Sequence, residues 1–310
     1  MATIVEMINP LTGLPEQVDK LDHTAQEIDD AVDLASQLSN PNLLDNWYFG
    51  NPVNQRWQTE YNTMRYAIDR WRTWTEPTSA WLKVVDGGIK VAYTFFQYFE
   101  KAVIDGILGK NVTISILFAD GKLFYKTGFV SKSGVSYNAV DVNYGGITHV
   151  AFGVDTSDTG NAVTNYFRVG VPVNGTLSDT ILAIKLDLGS QQTLAHKYAD
   201  GSWVLNEIPD YGEQLARCQR YYRQFNAYTK FIAQYIDGNK VVFTLPVSMR
   251  TAPGMSGDWK IYTGFTEQTG FTLSAYQTGN IIVVEAVKEN HGLTSAWLGV
   301  NDIGILNADL

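Results

Sequence analysis

The chain has 310 residues, a net charge of −9, a pI of about 4.9, and a composition that is 45% hydrophobic and 13% aromatic. That length holds about two globular domains, and the acidic balance argues against a nucleic-acid partner, which would call for a basic surface. The lone cysteine, Cys218, excludes an internal disulfide and fits assembly in a reducing compartment.

The N-terminal sequence MATIVEMINPL has neither a basic stretch nor a long apolar run, so a secretory leader is not expected. Apolar runs such as Ile281-Ile282-Val283-Val284 fall far short of the roughly 20 residues needed to cross a bilayer, so no membrane insertion is expected. Residues 1–41 hold eight acids against one base, Lys20, and so carry most of the chain's net charge. Leu11, Leu14, Val18, Leu21, Ala25, Ile28, Val32 and Ala35 follow an unbroken 3,4 spacing. Pro15 suits a first helical turn and Asn40-Pro41 a stop. The pattern predicts a helix over 15–38, roughly 36 Å long at 1.5 Å per residue. A strict heptad drifts on a lone helix, so the stripe predicts a coiled coil whose seam (Leu14, Val18, Leu21, Ala25, Ile28, Val32 and Ala35) holds an oligomer together. The competing reading is a single amphipathic helix packed on its own subunit. Two core alanines make the seam weak, so the β-domains are expected to share the oligomer interface.

Residues 42–209 read as one β-domain. Apolar runs at 82–85, 89–93, 112–118, 123–124, 149–154, 166–169 and 181–186 alternate with Asp86-Gly87-Gly88, Ala119-Asp120-Gly121, Tyr144-Gly145-Gly146 and Val173-Asn174-Gly175. These dipeptides are hairpin-turn chemistry, and seven or more strands suggest a β-sandwich of jelly-roll type. Within Ile68-Asp69-Arg70-Trp71-Arg72, strand alternation places Trp71 inward. A connecting helix is expected over 210–227, capped by Asp210 with Glu213 three residues on; Leu215, Cys218, Tyr222 and Phe225 form its apolar face. Cys218 there reads as a small packed residue, since no histidine lies near to activate it. Residues 228–310 form a second, small β-domain with strands at 240–245, 259–263, 271–276 and 281–287.

Catalytic motifs are sparse. His23, His149, His196 and His291 are isolated, and no phosphate-binding loop, nucleophile elbow or dinucleotide fingerprint occurs. Asp69, Asp86, Glu100, Asp105 and Asp120 could supply the facing pair that glycoside hydrolysis needs, although so many acids are expected from composition alone. No cofactor is expected beyond a structural Ca²⁺ that Asp141, Asp155, Asp158 and Asn161 could hold, against the plainer reading of a solvated loop. Aromatics are the stronger signal. Trp47, Trp57, Trp71, Trp74 and Trp81 crowd one stretch with Tyr48, Tyr61 and Tyr66, and sugar rings present apolar C–H faces that stack on such side chains. Trp57, Tyr61 and Trp74, set among polar residues, are the expected exposed platforms, with Trp81 beside them; Trp259, Tyr262 and Trp297 are the alternatives in the C-terminal domain.

Asn42-Leu43-Leu44-Asp45-Asn46-Trp47-Tyr48-Phe49, Asn51-Pro52-Val53-Asn54-Gln55-Arg56 and the stretch YAIDRW at 66–71 resemble the start of a module in tail-fibre or receptor-binding proteins of phages and prophages of Gram-positive bacteria. The segment 210–222, the run Leu245-Pro246-Val247-Ser248-Met249-Arg250-Thr251-Ala252-Pro253 and the ending Asn307-Ala308-Asp309-Leu310 are similar to the C-terminal part of that family. The resemblance implies a homotrimeric appendage of the virion tail, joined to other tail or baseplate proteins through its N-terminus. It also implies distal β-domains that hold a host cell-surface glycan, and a true C-terminus at Leu310. It supplies no ligand residues. The sequence departs from the family at Trp57, where a small residue, often glycine, follows Asn-Gln-Arg; the tryptophan is a specificity device or a pocket filler. The expected function is multivalent, non-catalytic glycan binding. A tail polysaccharide depolymerase and a purely structural tail protein are the rival readings.

Overall fold

A computed structural model describes residues 4–8, 15–19, 40–62, 66–74, 82–92, 94–130, 136–154, 166–170 and 177–308. The chain divides into two compact units, Met1–Pro41 and Asn42–Leu310. The protein is mainly β, and among the described residues every strand pairing is antiparallel.

In the first unit, β1 (Ile4–Ile8) pairs with β2 (Pro15–Asp19), with Val5 opposite Val18 and Ile8 opposite Pro15. This corrects the expected start of the coiled coil: Val18 lies in a strand, and the helix predicted from Pro15 does not begin there. The physical reason lies upstream. Ile4-Val5-Glu6-Met7-Ile8 is rich in β-branched residues that favour a strand, and Pro15 is tolerated at the first position of its partner. Leu11, Leu14, Leu21, Ala25, Ile28, Val32 and Ala35 lie outside the described residues.

The second unit opens with β3 (Glu60–Tyr61), β4 (Arg72–Trp74), β5 (Leu82–Val85), β6 (Gly88–Val91) and β7 (Thr94–Tyr98). A short helix, α1 (Lys101–Ile107), follows, then β8 (Asn111–Phe118), β9 (Leu123–Phe129), β10 (Ser136–Tyr144), β11 (Ile147–Val154), β12 (Tyr166–Gly170) and β13 (Ile181–Leu188). They form a six-stranded sheet, β3-β5-β6-β13-β8-β9, and a five-stranded sheet, β10-β11-β12-β7-β4. Both contribute to one core: Ile114, Ile116, Ile184 and Leu186 come from the first, Phe95, Val150, Phe167 and Val169 from the second. Trp71 is fully buried there, stacked on Phe95 at 4.3 Å and edge-on to Phe49 at 5.6 Å. Its indole N–H donates to the Asn46 carbonyl at 2.9 Å, which satisfies its one polar group. The alternation expected around it fails: Ile68, Asp69, Arg70 and Trp71 are all buried, because Arg70 takes a left-handed φ of 69° and the chain turns there. A small hairpin, β14 (Ala195–Lys197) with β15 (Trp203–Leu205), completes this first lobe.

The connecting helix, α2 (Tyr211–Gln219), is capped as expected, with the Asp210 carboxylate accepting from the Glu213 N–H. It is shorter than 210–227. Tyr222 and Phe225 belong to β16 (Tyr222–Asn226), because the aromatic run after Arg220 finds a strand partner instead of extending the helix.

The remaining strands are β17 (Lys230–Ile236), β18 (Lys240–Leu245), β19 (Gly254–Thr263), β20 (Thr266–Gln268), β21 (Thr272–Thr278), β22 (Ile281–Val287) and β23 (Trp297–Asn307). With β16 they make one curled, eight-stranded sheet instead of the smaller set expected. β23 is its hub. It pairs with β19 on one side and with β17 and then β16 on the other. Phe225, Val241, Phe243, Val284, Leu298 and Leu306 fill a second core inside the curl.

Cys218 on α2 is buried, and burial pushes its thiol well above the ordinary range, with Asp69 and Asp45 adding to the effect. A thiol reagent at pH 8 is therefore expected to leave the native protein unmodified and to label one thiol per chain after denaturation; labelling of the native protein would contradict this packing.

Candidate functional site

The two lobes of the second unit meet through a buried polar seam built around the consecutive pair Asp69-Arg70. Arg70 is 2% exposed. Its Nε donates to Asp45 Oδ2 at 3.0 Å, its Nη2 donates to the Tyr98 carbonyl at 2.9 Å, and its guanidinium lies 3.4 Å from the centre of the Tyr221 ring. Asp45 also faces Arg217 of α2 at 3.2 Å, and Gln97 braces the Asp45 backbone through both ends of its amide. Asp69 accepts from the Gln55 N–H at 2.6 Å, from Gln55 Nε2 at 3.2 Å and from Arg56 Nη1 at 3.2 Å. Gln55 Nε2 also donates to the Tyr222 carbonyl at the start of β16. Burial raises the Asp69 carboxyl above the usual range, with Arg56 acting against it.

Beside this seam opens a cleft of about 1010 Å³, floored on one side by residues of 56–72 and on the other by β16 and β23. The Arg56 guanidinium sits 3.8 Å above the Tyr222 ring and 5.6 Å from that of Tyr66; Arg72 lies 6.0 Å from Tyr66. Gln58, Asn62, Gln224 and Asn307 add amide groups, and Ile303 and Ile305 an apolar strip. The lining thus combines two guanidinium groups, three tyrosines and four amides, and among the described residues it includes no carboxylate. Tyr61 and Tyr222 are nearly buried, the latter beneath Arg56, so the accessible surface is the guanidinium and amide groups beside Tyr66 and the isoleucine strip. It pairs fixed donors and acceptors with an apolar patch, the requirements for holding a sugar ring and its hydroxyls.

The expected site residues scatter. Trp57 is 76% exposed and lies between two residues of the cleft lining, Arg56 and Gln58. Its φ of 58° is left-handed, a conformation that costs a bulky residue about 1–2 kcal/mol. Tyr61 lines the cleft but is only 4% exposed; its hydroxyl donates to Asn54, and burial pushes its pKa up to about 12. It is an edge of the wall and not the exposed platform expected, because β3 carries it into the core. Trp74 ends β4, its side chain falling outside the described part, and Trp81 lies outside the described residues. Trp259 is a correction: it packs against Phe225 and Phe231 in the second core and donates its indole N–H to Ser256. Tyr262 and Trp297 are cross-strand partners, stacked at 4.1 Å and half-buried, away from the cleft. Gly299 makes room for that stack, since a Cβ there would meet the Trp297 ring at 2.3 Å. Arg56, Tyr66, Arg72, Tyr222, Gln224 and Asn307 were not singled out from sequence as ligand-facing. The Asn-Gln-Arg and YAIDRW motifs, the aromatic cluster with Tyr66, and the segments 210–222 and 307–310 mark their neighbourhood without assigning them a ligand.

The acids considered for catalysis do not face one another across the cleft. Asp69 is enclosed by Gln55 and Arg56, Glu100 pairs with Arg220 and Tyr221, Asp105 with Lys101, Asp120 with Lys122, and Asp86 lies in the exposed β5–β6 turn. Among the described residues no cluster of three or more His, Cys, Asp or Glu side chains could hold a metal ion. Asp141 is exposed, and Asp155, Asp158 and Asn161 lie outside the described residues. No helix among the described residues is long and apolar enough to cross a membrane. Comparison with protein-family models, with curated proteins and with solved structures gives no match.

Arg70→Ala removes one side of a buried pair and the stack on Tyr221, and it is expected to destabilise the protein by about 3–5 kcal/mol. A guanidinium denaturation curve checks this; a loss below about 1 kcal/mol would mean that the seam does not join the lobes as described.

Proposed function

We propose that this protein is a trimeric receptor-binding component of a phage or prophage tail, attaching to a host cell-surface glycan by non-catalytic contacts in the cleft between its two β-lobes. The observation that carries this reading is the lining of the cleft: guanidinium and amide groups beside Tyr66 and an isoleucine strip, with no carboxylate among the described lining residues. Glycoside hydrolysis needs a pair of carboxyl groups flanking the scissile bond, so the lining supports binding and gives the depolymerase reading no foothold there. The two sheets around one core support a jelly-roll sandwich for the first lobe. The resemblance of 42–56, 66–71, 210–222 and 245–253 to tail-fibre proteins supports the biological setting.

Trimerisation is part of the same proposal. A single shallow sugar site binds weakly, and three on one rigid body gain through effective concentration. A two-stranded ribbon such as β1–β2 is marginal alone in water, which supports a packing partner for the N-terminal unit. That unit is the proposed attachment to tail or baseplate proteins, and the β-lobes would carry much of the trimer contact.

Sedimentation equilibrium is expected to give three times the 34.5 kDa chain mass for the full chain, and three times its own smaller chain mass for a version lacking residues 1–41. A glycan array with host-cell pull-down is expected to show binding that Arg72→Ala reduces roughly ten-fold at unchanged melting temperature. A monomer that binds neither glycans nor cells would refute the proposal.

A further inference from the structure

Among the described residues, six non-glycine residues take a left-handed φ: Asn46, Trp57, Arg70, Asn143, Tyr228 and Asn290. Three are asparagines, the side chain that tolerates this region best, and Arg70 is held in place by the buried seam. The two aromatics remain. Tyr228, with φ 73° and 88% exposure, tops the β16–β17 turn, and neither of its chain neighbours lines the cleft. Trp57 is not itself part of the lining, but both of its chain neighbours are, which puts it at the rim of the cleft.

The loop around Trp57 is built so that this backbone cannot relax. The Trp57 N–H donates to the Asn54 carbonyl at 3.1 Å, and Asn54 Nδ2 donates to the Gln58 carbonyl at 2.7 Å. Tyr61 donates to the Asn54 side chain, while Gln55 is tied to Asp69 and to Tyr222 of the opposite lobe. Glycine would take the same conformation without steric cost, so a purely structural turn calls for glycine at this position. The chain instead carries its largest side chain, and at 76% exposure that side chain recovers little of the cost through packing. Strain of this kind, held in place by the surrounding hydrogen bonds, clusters at ligand-binding positions. A rigid indole with two side-chain torsions also loses little entropy on contact.

We infer that Trp57 is the specificity-determining residue of the cleft: its indole stacks on the apolar C–H face of a pyranose ring whose hydroxyls are held by the Arg and amide groups of the lining. This rests on the glycan reading above and adds the ligand class at the rim, a hexopyranose presenting one continuous apolar face. Stability and affinity are then opposed at this position.

The test uses the full chain and the oligosaccharide that gives the strongest array signal, with calorimetric titration and thermal melts of wild type, Trp57→Gly and Trp57→Phe. Trp57→Gly is expected to melt at or above the wild-type temperature while losing affinity roughly ten-fold or more, and Trp57→Phe to stay within about three-fold of wild type. Wild-type affinity in Trp57→Gly would overturn this assignment and leave the glycan reading standing. A melting temperature lowered in Trp57→Gly would overturn it too, because the residue would then be structural. Absence of any array signal for the wild type would sink both readings together.

Discussion

The contact on which the rest of the second unit depends is the buried side chain of Arg70. A guanidinium so far from water is stable only if its donors and its flat faces are occupied. Asp45, the Tyr98 carbonyl and the Tyr221 ring answer those needs for Nε, Nη2 and one flat face from three separate stretches of chain, leaving Nη1 as the one buried donor of the group without a hydrogen bond. The first belongs to the segment that opens the unit, the second to β7, and the third to the link between α2 and β16. One side chain therefore fixes the entry of the first lobe, one of its central strands and the start of the second lobe at once.

Asp69, next in sequence, extends the same logic toward the cleft. Its carboxylate orients Gln55 and Arg56, and Gln55 reaches across to Tyr222. Arg56 then lies flat on the Tyr222 ring. A guanidinium held between a carboxylate and an aromatic face has little rotamer freedom left, so the cleft wall is organised before any ligand arrives. Preorganisation of this kind lowers the ordering cost of binding, which matters most for weak ligands with few apolar atoms.

Where turn chemistry was explicit, the fold was readable from the chain. Asp86-Gly87 separates β5 from β6, and the bounds of β5, β18 and β22 coincide with the apolar runs at 82–85, 240–245 and 281–287. Legibility failed where local pattern and tertiary context disagreed. β23 contains Asn301-Asp302 and two glycines, a poor strand by propensity, yet it has neighbours on both sides along its length. The turn at Asp69-Arg70 carries no glycine or proline to announce it, because the buried seam and not local preference sets the left-handed Arg70. The heptad stripe fails at Val18 for a related reason: Val18 falls within a pattern that satisfies a helix, while its neighbours upstream satisfy a strand. The cleft itself was invisible to any linear reading, since Arg56 and Tyr222 are 166 positions apart in the sequence. The aromatic cluster marked the right region, but burial sorted its members in ways that composition does not encode.

The position of β23 also governs how the molecule is made. Most strands of the first lobe find their partners within the first two-thirds of the chain, so that lobe can close during synthesis. The curled sheet of the second lobe is arranged around its last strand, and until Trp297–Asn307 has left the ribosome β16, β17 and β19 have no common neighbour. The cleft, floored partly by Ile303, Ile305 and Asn307, is thus the last feature to be completed. A chain interrupted between the first lobe and that strand lacks part of the cleft floor, so a finished binding surface reports that translation has passed Asn307.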